Sequence, residues 1–198
     1  MLPAEDYQHG KKALARLLEL DGFHTVLDIG SGRGWHAAQL RAAGKQVVEL
    51  DLEPRHDGAA RCSYEDYHAS QPFDCVWCCH VLEHQPNVNL FLTKIHRDLR
   101  DGGWLAVVVP PLKHQIVGGH LSLWNAGLLL YNLVVARFDC RDAKVSRSGY
   151  DIAVLVRRRE IELPVLYYGA MDVDRLTPFF PEGLTEGFNG DITELNWD

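Results

Sequence analysis

Short unbroken apolar runs alternate along this chain with longer stretches in which apolar residues recur at helical spacing, and the alternation holds to about residue 157. Unbroken runs fit strands buried on both faces; the periodic stretches fit helices packed on them. The pattern predicts a helix over residues 7–20, with Leu14, Leu17 and Leu18 on one side and a stop at Asp21-Gly22. A strand over 25–29, a Gly-rich turn over 30–34, a helix over 35–43 and a strand over 46–50 follow. Residues 61–63 form a short third strand and 73–78 a fourth, rich in residues that suit a buried sheet. A helix over 88–99 places Leu92, Ile95 and Leu99 on one face, and a fifth strand over 104–109 stops at Pro110-Pro111. A helix over 121–138 leads to strands at 140–146 and 151–156, joined through Arg147-Ser148-Gly149-Tyr150. The expected architecture is α/β, a doubly wound, mainly parallel sheet of about seven strands ending in an antiparallel hairpin.

Composition narrows the class of partner. Of 27 acidic residues in the 198, nine lie in residues 160–198, where Arg175 is the only Lys or Arg; that segment carries −8 and the rest +1. A near-neutral body with an acidic extension lacks the basic footprint that nucleic acid requires, so none is expected. The longest apolar helix candidate, near residues 128–136, is interrupted by Tyr131 and Asn132, so no membrane span is expected. Residues 1–6 lack a basic patch followed by an apolar core, which favours the cytoplasm over secretion. Three of the five cysteines, Cys75, Cys78 and Cys79, share one apolar run, which suits reduced buried thiols. Cys75-x-x-Cys78 has no second CxxC to complete a zinc site, and no metal is expected there.

The strongest local signal is Val26-Leu27-Asp28-Ile29-Gly30-Ser31-Gly32-Arg33-Gly34, a strand that runs into a glycine turn and opens a helix. Such a turn brings backbone close to a ligand and presents free N–H groups at the helix start. Asp51 follows Gly32 by nineteen residues and closes the second strand, where a carboxylate can accept both hydroxyls of a ribose. Trp35 stands where a nicotinamide-binding turn would carry its third glycine, and Asp28 stands where such a turn keeps an apolar residue. A carboxylate buried at a strand end needs donors, and the ammonium of an amino-acid-bearing cofactor supplies them.

With these residues the chain resembles the class I S-adenosylmethionine-dependent methyltransferases, with their Rossmann-like fold, in particular the small-molecule branch that includes ubiquinone-biosynthesis enzymes. The resemblance spans roughly residues 22–157. It rests on the glycine-turn segment, on Val48-Glu49-Leu50-Asp51, on Phe73-Asp74-Cys75-Val76-Trp77 leading to His80-Val81-Leu82-Glu83-His84, and on Leu99-Arg100-Asp101-Gly102-Gly103-Trp104-Leu105. It implies S-adenosyl-L-methionine as cofactor and a small-molecule acceptor, methylated on oxygen rather than nitrogen. By position, Asp28, Gly30, Ser31 and Gly32 would line the methionine end, Asp51 the ribose, Leu52 the adenine face, and Tyr64 or Glu65 the adenine edge; Cys79 and His80 would sit near the transferred methyl. The family usually ends its fourth main helix in Ala-Gly-Phe, where this chain has Ala136-Arg137-Phe138.

For a hydroxyl acceptor a base must remove a proton, and histidine suits that near neutral pH. His120, His114 and His84, on the loops after the fourth and fifth strands, are the candidates. His80-x-x-Glu83-His84 with a downstream His also resembles the ExxEH…H metal arrangement of methyltransferases acting on small-RNA 3′ ends, His80 replacing the first Glu. Leu-Glu-His also occurs in metal-free small-molecule members, and the reading without metal is preferred. A binding or scaffold module that keeps the fold without turnover is the non-enzyme alternative.

The domain is expected over residues 1–159, with 1–22 as a covering helix. The extension over 160–198 carries too many apolar residues, among them Phe179, Phe180, Leu184 and Trp197, to be solvated throughout. It should pack on the domain, cover the acceptor pocket, or reach a second subunit as a dimer arm.

Overall fold

The computed structural model describes residues 8–198. Parallel strands β1 (Thr25–Ile29), β2 (Gln46–Asp51), β3 (Ala60–Arg61), β4 (Phe73–Cys79) and β5 (Leu99–Val109) are joined by antiparallel β6 (Lys144–Ser148), β7 (Asp151–Arg157) and β8 (Glu194–Leu195). Their order across one sheet is β3-β2-β1-β4-β5-β7-β6-β8. β1 lies between β2 and β4, so the chain reverses its winding there and leaves a crevice beyond the carboxyl ends of those strands.

Both faces of the sheet are covered, and side chains alternate between two cores. On β4, Val76 and Cys78 enter the core shared with α3 (Val88–Asp98) and α4 (Ala126–Val135). Cys75, Trp77 and Cys79 enter the other, built with α1 (Lys11–Leu18) and α2 (Trp35–Ala42). All five cysteines are free thiols, and burial pushes those of Cys75, Cys78, Cys79 and Cys140 up in pKa.

Differences from the expected elements have local causes. α1 begins at Lys11 after Gly10; the expected start at Tyr7 lies outside the described residues. α4 begins at Ala126 rather than near 121, because the Asn125 side chain caps it by accepting from Leu128 N at 2.7 Å and Leu112 N donates to Trp124 O at 2.7 Å. Residues 121–124 are thereby held as an extended strap. β6 begins at Lys144 rather than 140, since Ala143 N closes a turn on Cys140 O. β5 starts early, at Leu99, with a register irregularity opposite Phe73 and Cys75.

Arg137, after α4, has φ 74°, the left-handed conformation in which a glycine would cost nothing. Arg137→Gly is expected to raise stability by about 0.5–1 kcal/mol, the left-handed penalty less glycine's greater freedom when unfolded. Urea denaturation tests this, and a loss of stability would mean that the arginine side chain outweighs its backbone.

Residues beyond 159 pack on this same domain. Leu176, Phe180 and Leu184 join the core beside α4. The buried Asp172 carboxylate accepts from Tyr167 N and Tyr168 N at 3.0 and 2.7 Å, opening α5 (Asp172–Leu176). β8 then adds an eighth strand beside β6, pairing Leu195 with Val145, and Trp197 is buried in the core with α1.

Candidate active site

The glycine turn is strung between β1 and β2. Gly30 N and Ser31 N both donate to Leu50 O, at 2.8 and 3.1 Å. The Asp51 carboxylate accepts from Gly32 N and Glu53 N, each at 2.8 Å. Gly32 has φ +55°, and a Cβ added there would meet nothing within 4 Å. The turn therefore leaves open space above a fixed backbone.

Two adjoining cavities open at this edge. One, about 220 Å³, is lined by Asp51, Leu52, Ser63, Tyr64, Glu65 and His84 among others; the second, about 270 Å³, by Ser31, Gly32, Arg33, His36, Arg55 and Cys79 among others. Gly30 and His80 line both, making one two-lobed cleft around the end of β1. Tyr64 is fixed by its hydroxyl, which donates to Asp98 at 2.9 Å, and by the Phe91 ring at 5.2 Å. No residue beyond 159 lines either lobe.

Asp28 lines neither lobe. Strand alternation turns it toward α2, at the same register as Glu49 and Trp77. It is 1% exposed, its Oδ2 has no hydrogen-bond partner, and burial, aided by Glu49, pushes its pKa up to about 8. Between about pH 4 and 8 the folded protein thus holds a proton that the unfolded chain has released, so stability falls as pH rises across that window. Asp28→Asn is expected to flatten that fall in thermal melts between pH 5 and 8. An unchanged slope would place the titration elsewhere.

Where β4 ends, His80 adopts φ 55° and donates its backbone N–H to Val108 O at 2.9 Å. Its Nε2 lies 2.9 Å from Asp151 Oδ1 and its Nδ1 3.4 Å from Glu83 Oε1. Asp151 also takes His9 Nδ1 and Gly10 N, each at 2.8 Å. Burial alone would raise the Asp151 pKa, but hydrogen bonds from His80, His9 and Gly10 N hold it well below the usual carboxylate range. The His9 and His80 ring centroids lie 3.8 Å apart, the planes tilted by 33°. A non-glycine residue in this strained conformation, fixed on three sides, fits a working position.

The remaining candidates separate. His84 and His120 meet edge to face at 5.0 Å, beside the fully buried Glu83. Burial raises the Glu83 pKa; burial and the His84 ring lower that of His120. His114 is exposed on the same loop. Sequence reasoning missed Asp151, His9, His36 and Arg55. Asp151 could have been found: β7 runs antiparallel beside a parallel strand, so its first residue must fall at the carboxyl edge.

The open cradle at Gly32 and Asp51 at the end of β2 fit S-adenosylmethionine, whereas Asp28, expected at the methionine end, lies outside the cleft. This sheet order with this turn defines the Rossmann-like, class I methyltransferases. The chain belongs to the methyltransferase family, whose model, described as "Methyltransferase domain", matches residues 5–155. It is 27% identical over 170 residues to a ubiquinone biosynthesis O-methyltransferase of Rhizobium etli, covering 78% of this chain and 63% of that protein. With the enzyme of that name from Xanthomonas euvesicatoria it shares 35% over 104 residues, 44% of this chain and 43% of the relative. The chain thus spans less than two thirds of the curated relatives it matches. Its fold matches 1,6-didemethyltoxoflavin-N1-methyltransferase of Burkholderia thailandensis at TM-score 0.62 and 20% identity, over 76% of this chain and 80% of that one. Among the described residues no helix is long and apolar enough to cross a membrane.

Proposed function

We propose that this protein transfers a methyl group from S-adenosylmethionine to a hydroxyl oxygen of a small molecule. The observation that carries the reading is the two-lobed cleft, with a ribose-side carboxylate in one lobe, a glycine cradle in the other, and paired histidines at the mouth. The names of the matched O-methyltransferases support oxygen as acceptor.

When bound, S-adenosylmethionine supplies a methyl on a cationic sulfur that leaves as a neutral thioether. The protein has to hold, align and exclude water. Asp51 would take the ribose hydroxyls, and Tyr64 and Leu52 would flank the adenine. The start of α2, with Arg33 and Arg55, would take the amino-acid carboxylate. His80, which lines both lobes, and Cys79, in the second, would border the methyl. His84 and His120 would face the acceptor and manage its proton.

The test is product formation with hydroxylated aromatic acceptors against matched amines, followed by mass spectrometry. Methylation of amines alone would reject the oxygen assignment, and no S-adenosylmethionine binding would reject the reading whole. His120→Ala is expected to leave cofactor affinity unchanged and to lower kcat by about 100-fold or more. Full kcat in that variant would remove His120 from the chemistry.

A further inference from the structure

We propose that His56 is a positioning residue for the cofactor that acts through its neighbour: its ring fixes the loop between β2 and β3 so that Arg55 stands at the second lobe and takes the amino-acid carboxylate. The inference rests on the S-adenosylmethionine reading above and adds what holds the arginine in place.

The His56 ring is wedged into the fold. Glu49, on β2, turns its carboxylate inward with none of its side chain exposed, and a buried charge needs partners. Arg41 of α2 pairs with Oε1, and His56 Nε2 stands 2.9 Å from Oε2. Gly58 N donates to His56 Nδ1 at 3.1 Å, so Nδ1 holds the lone pair and Nε2 carries the proton that faces Glu49. Glycines stand on both sides of the ring. A Cβ on Gly34 would lie 2.6 Å from Nε2, and one on Gly58 2.9 Å from Nδ1, so the ring fills space that two missing side chains leave.

The consequence falls on Arg55. Its N–H donates to Gly32 O at 3.3 Å, which ties the loop to the glycine cradle, and the residue lines the second lobe with Ser31, Gly32 and Arg33. A planar guanidinium fork suits a carboxylate, and the start of α2 beside it favours an anion. An arginine on a free loop would have to order that loop on binding, whereas one on a pinned loop keeps more of the contact as affinity. Adenine and ribose are assigned to the first lobe, which neither His56 nor Arg55 lines. The histidine therefore acts on one end of the cofactor alone.

The test uses the full-length protein and two ligands, titrated by calorimetry into wild type and variants. One is S-adenosylhomocysteine; the other is 5′-methylthioadenosine, which keeps adenine, ribose and sulfur but lacks the amino-acid end. His56→Ala and Arg55→Ala are each expected to weaken S-adenosylhomocysteine by about 10-fold or more, and methylthioadenosine by less than about 2-fold. The double variant should lose no more than Arg55→Ala alone, because the histidine acts only through the arginine. Gly58→Ala, which crowds the ring without removing it, should reproduce the selective loss even if His56→Ala does not fold. In ligand-free protein, amide exchange at Arg55 and Gly58 should speed up in His56→Ala while that of β2 stays unchanged. Equal losses for both ligands, additive losses in the double variant, or unchanged affinity in His56→Ala and Gly58→Ala overturns the positioning role, leaves His56 as a partner of Glu49 alone, and leaves the methyl-transfer reading standing. Binding of neither ligand by wild type overturns that reading and the proposal with it.

Discussion

Asp51→Ala is expected to raise the dissociation constant for S-adenosylmethionine by at least about 100-fold. The carboxylate already accepts from Gly32 N and Glu53 N, so it is held in place before a ligand arrives. Two further bonds from ribose hydroxyls to a charged acceptor are worth roughly 1.5–3 kcal/mol each, so losing both exceeds the about 2.7 kcal/mol that a 100-fold change represents. The variant also frees Gly32 N, so part of the loss comes through the loosened turn. Calorimetric titration, with a thermal melt confirming the fold, measures the effect. An unchanged constant would move ribose recognition away from β2.

Trp77→Ala has the largest expected effect on the fold, about 3–5 kcal/mol, a large fraction of the roughly 5–15 kcal/mol that holds a domain together. Trp77 is 0% exposed at the centre of β4, its ring 5.0 Å from that of His36. A Cβ on Gly10 would come within 3.0 Å of the Trp77 ring, so the ring also supports the segment that brings His9 to Asp151. Trp77→Phe should cost less than about 2 kcal/mol, because most of the ring volume remains and the unpartnered indole nitrogen is removed. Guanidinium denaturation of both variants decides this; equal losses would show that the indole nitrogen, and not volume, carries the effect.

Much of the sheet is legible in the sequence, because a strand buried on both faces reads as an unbroken apolar run. Residues 25–29 and 73–78 carry that signal, and β1 and β4 stand where it falls. The strap over residues 121–124 does not, since Leu121, Leu123 and Trp124 continue a helical spacing that only the distant pairing with Pro111 and Leu112 interrupts. Of the residues expected around a cofactor, Gly30, Ser31, Gly32, Asp51, Leu52, Tyr64, Glu65, Cys79 and His80 line the cleft and Asp28 does not. The glycine turn encodes that geometry within a few residues. The approach of His84 to a downstream histidine was suggested only by a resemblance, and the turn of His80 to Asp151 across 71 residues of chain had no local signal.

The chain's late residues also govern when its early ones can settle. Lys12 Nζ meets Glu194 at 2.6 Å and lies over the Trp197 ring at 5.4 Å, so the first helix rests partly on the last strand. On the ribosome, α1 emerges with part of its apolar face uncovered and keeps it so until residues 194–197 have been made. Closing so long a loop adds little entropy beyond that of a shorter one, but it delays burial. Synthesis of residues 194–197, more than the speed of any single strand pairing, then sets the moment at which this edge of the molecule becomes native.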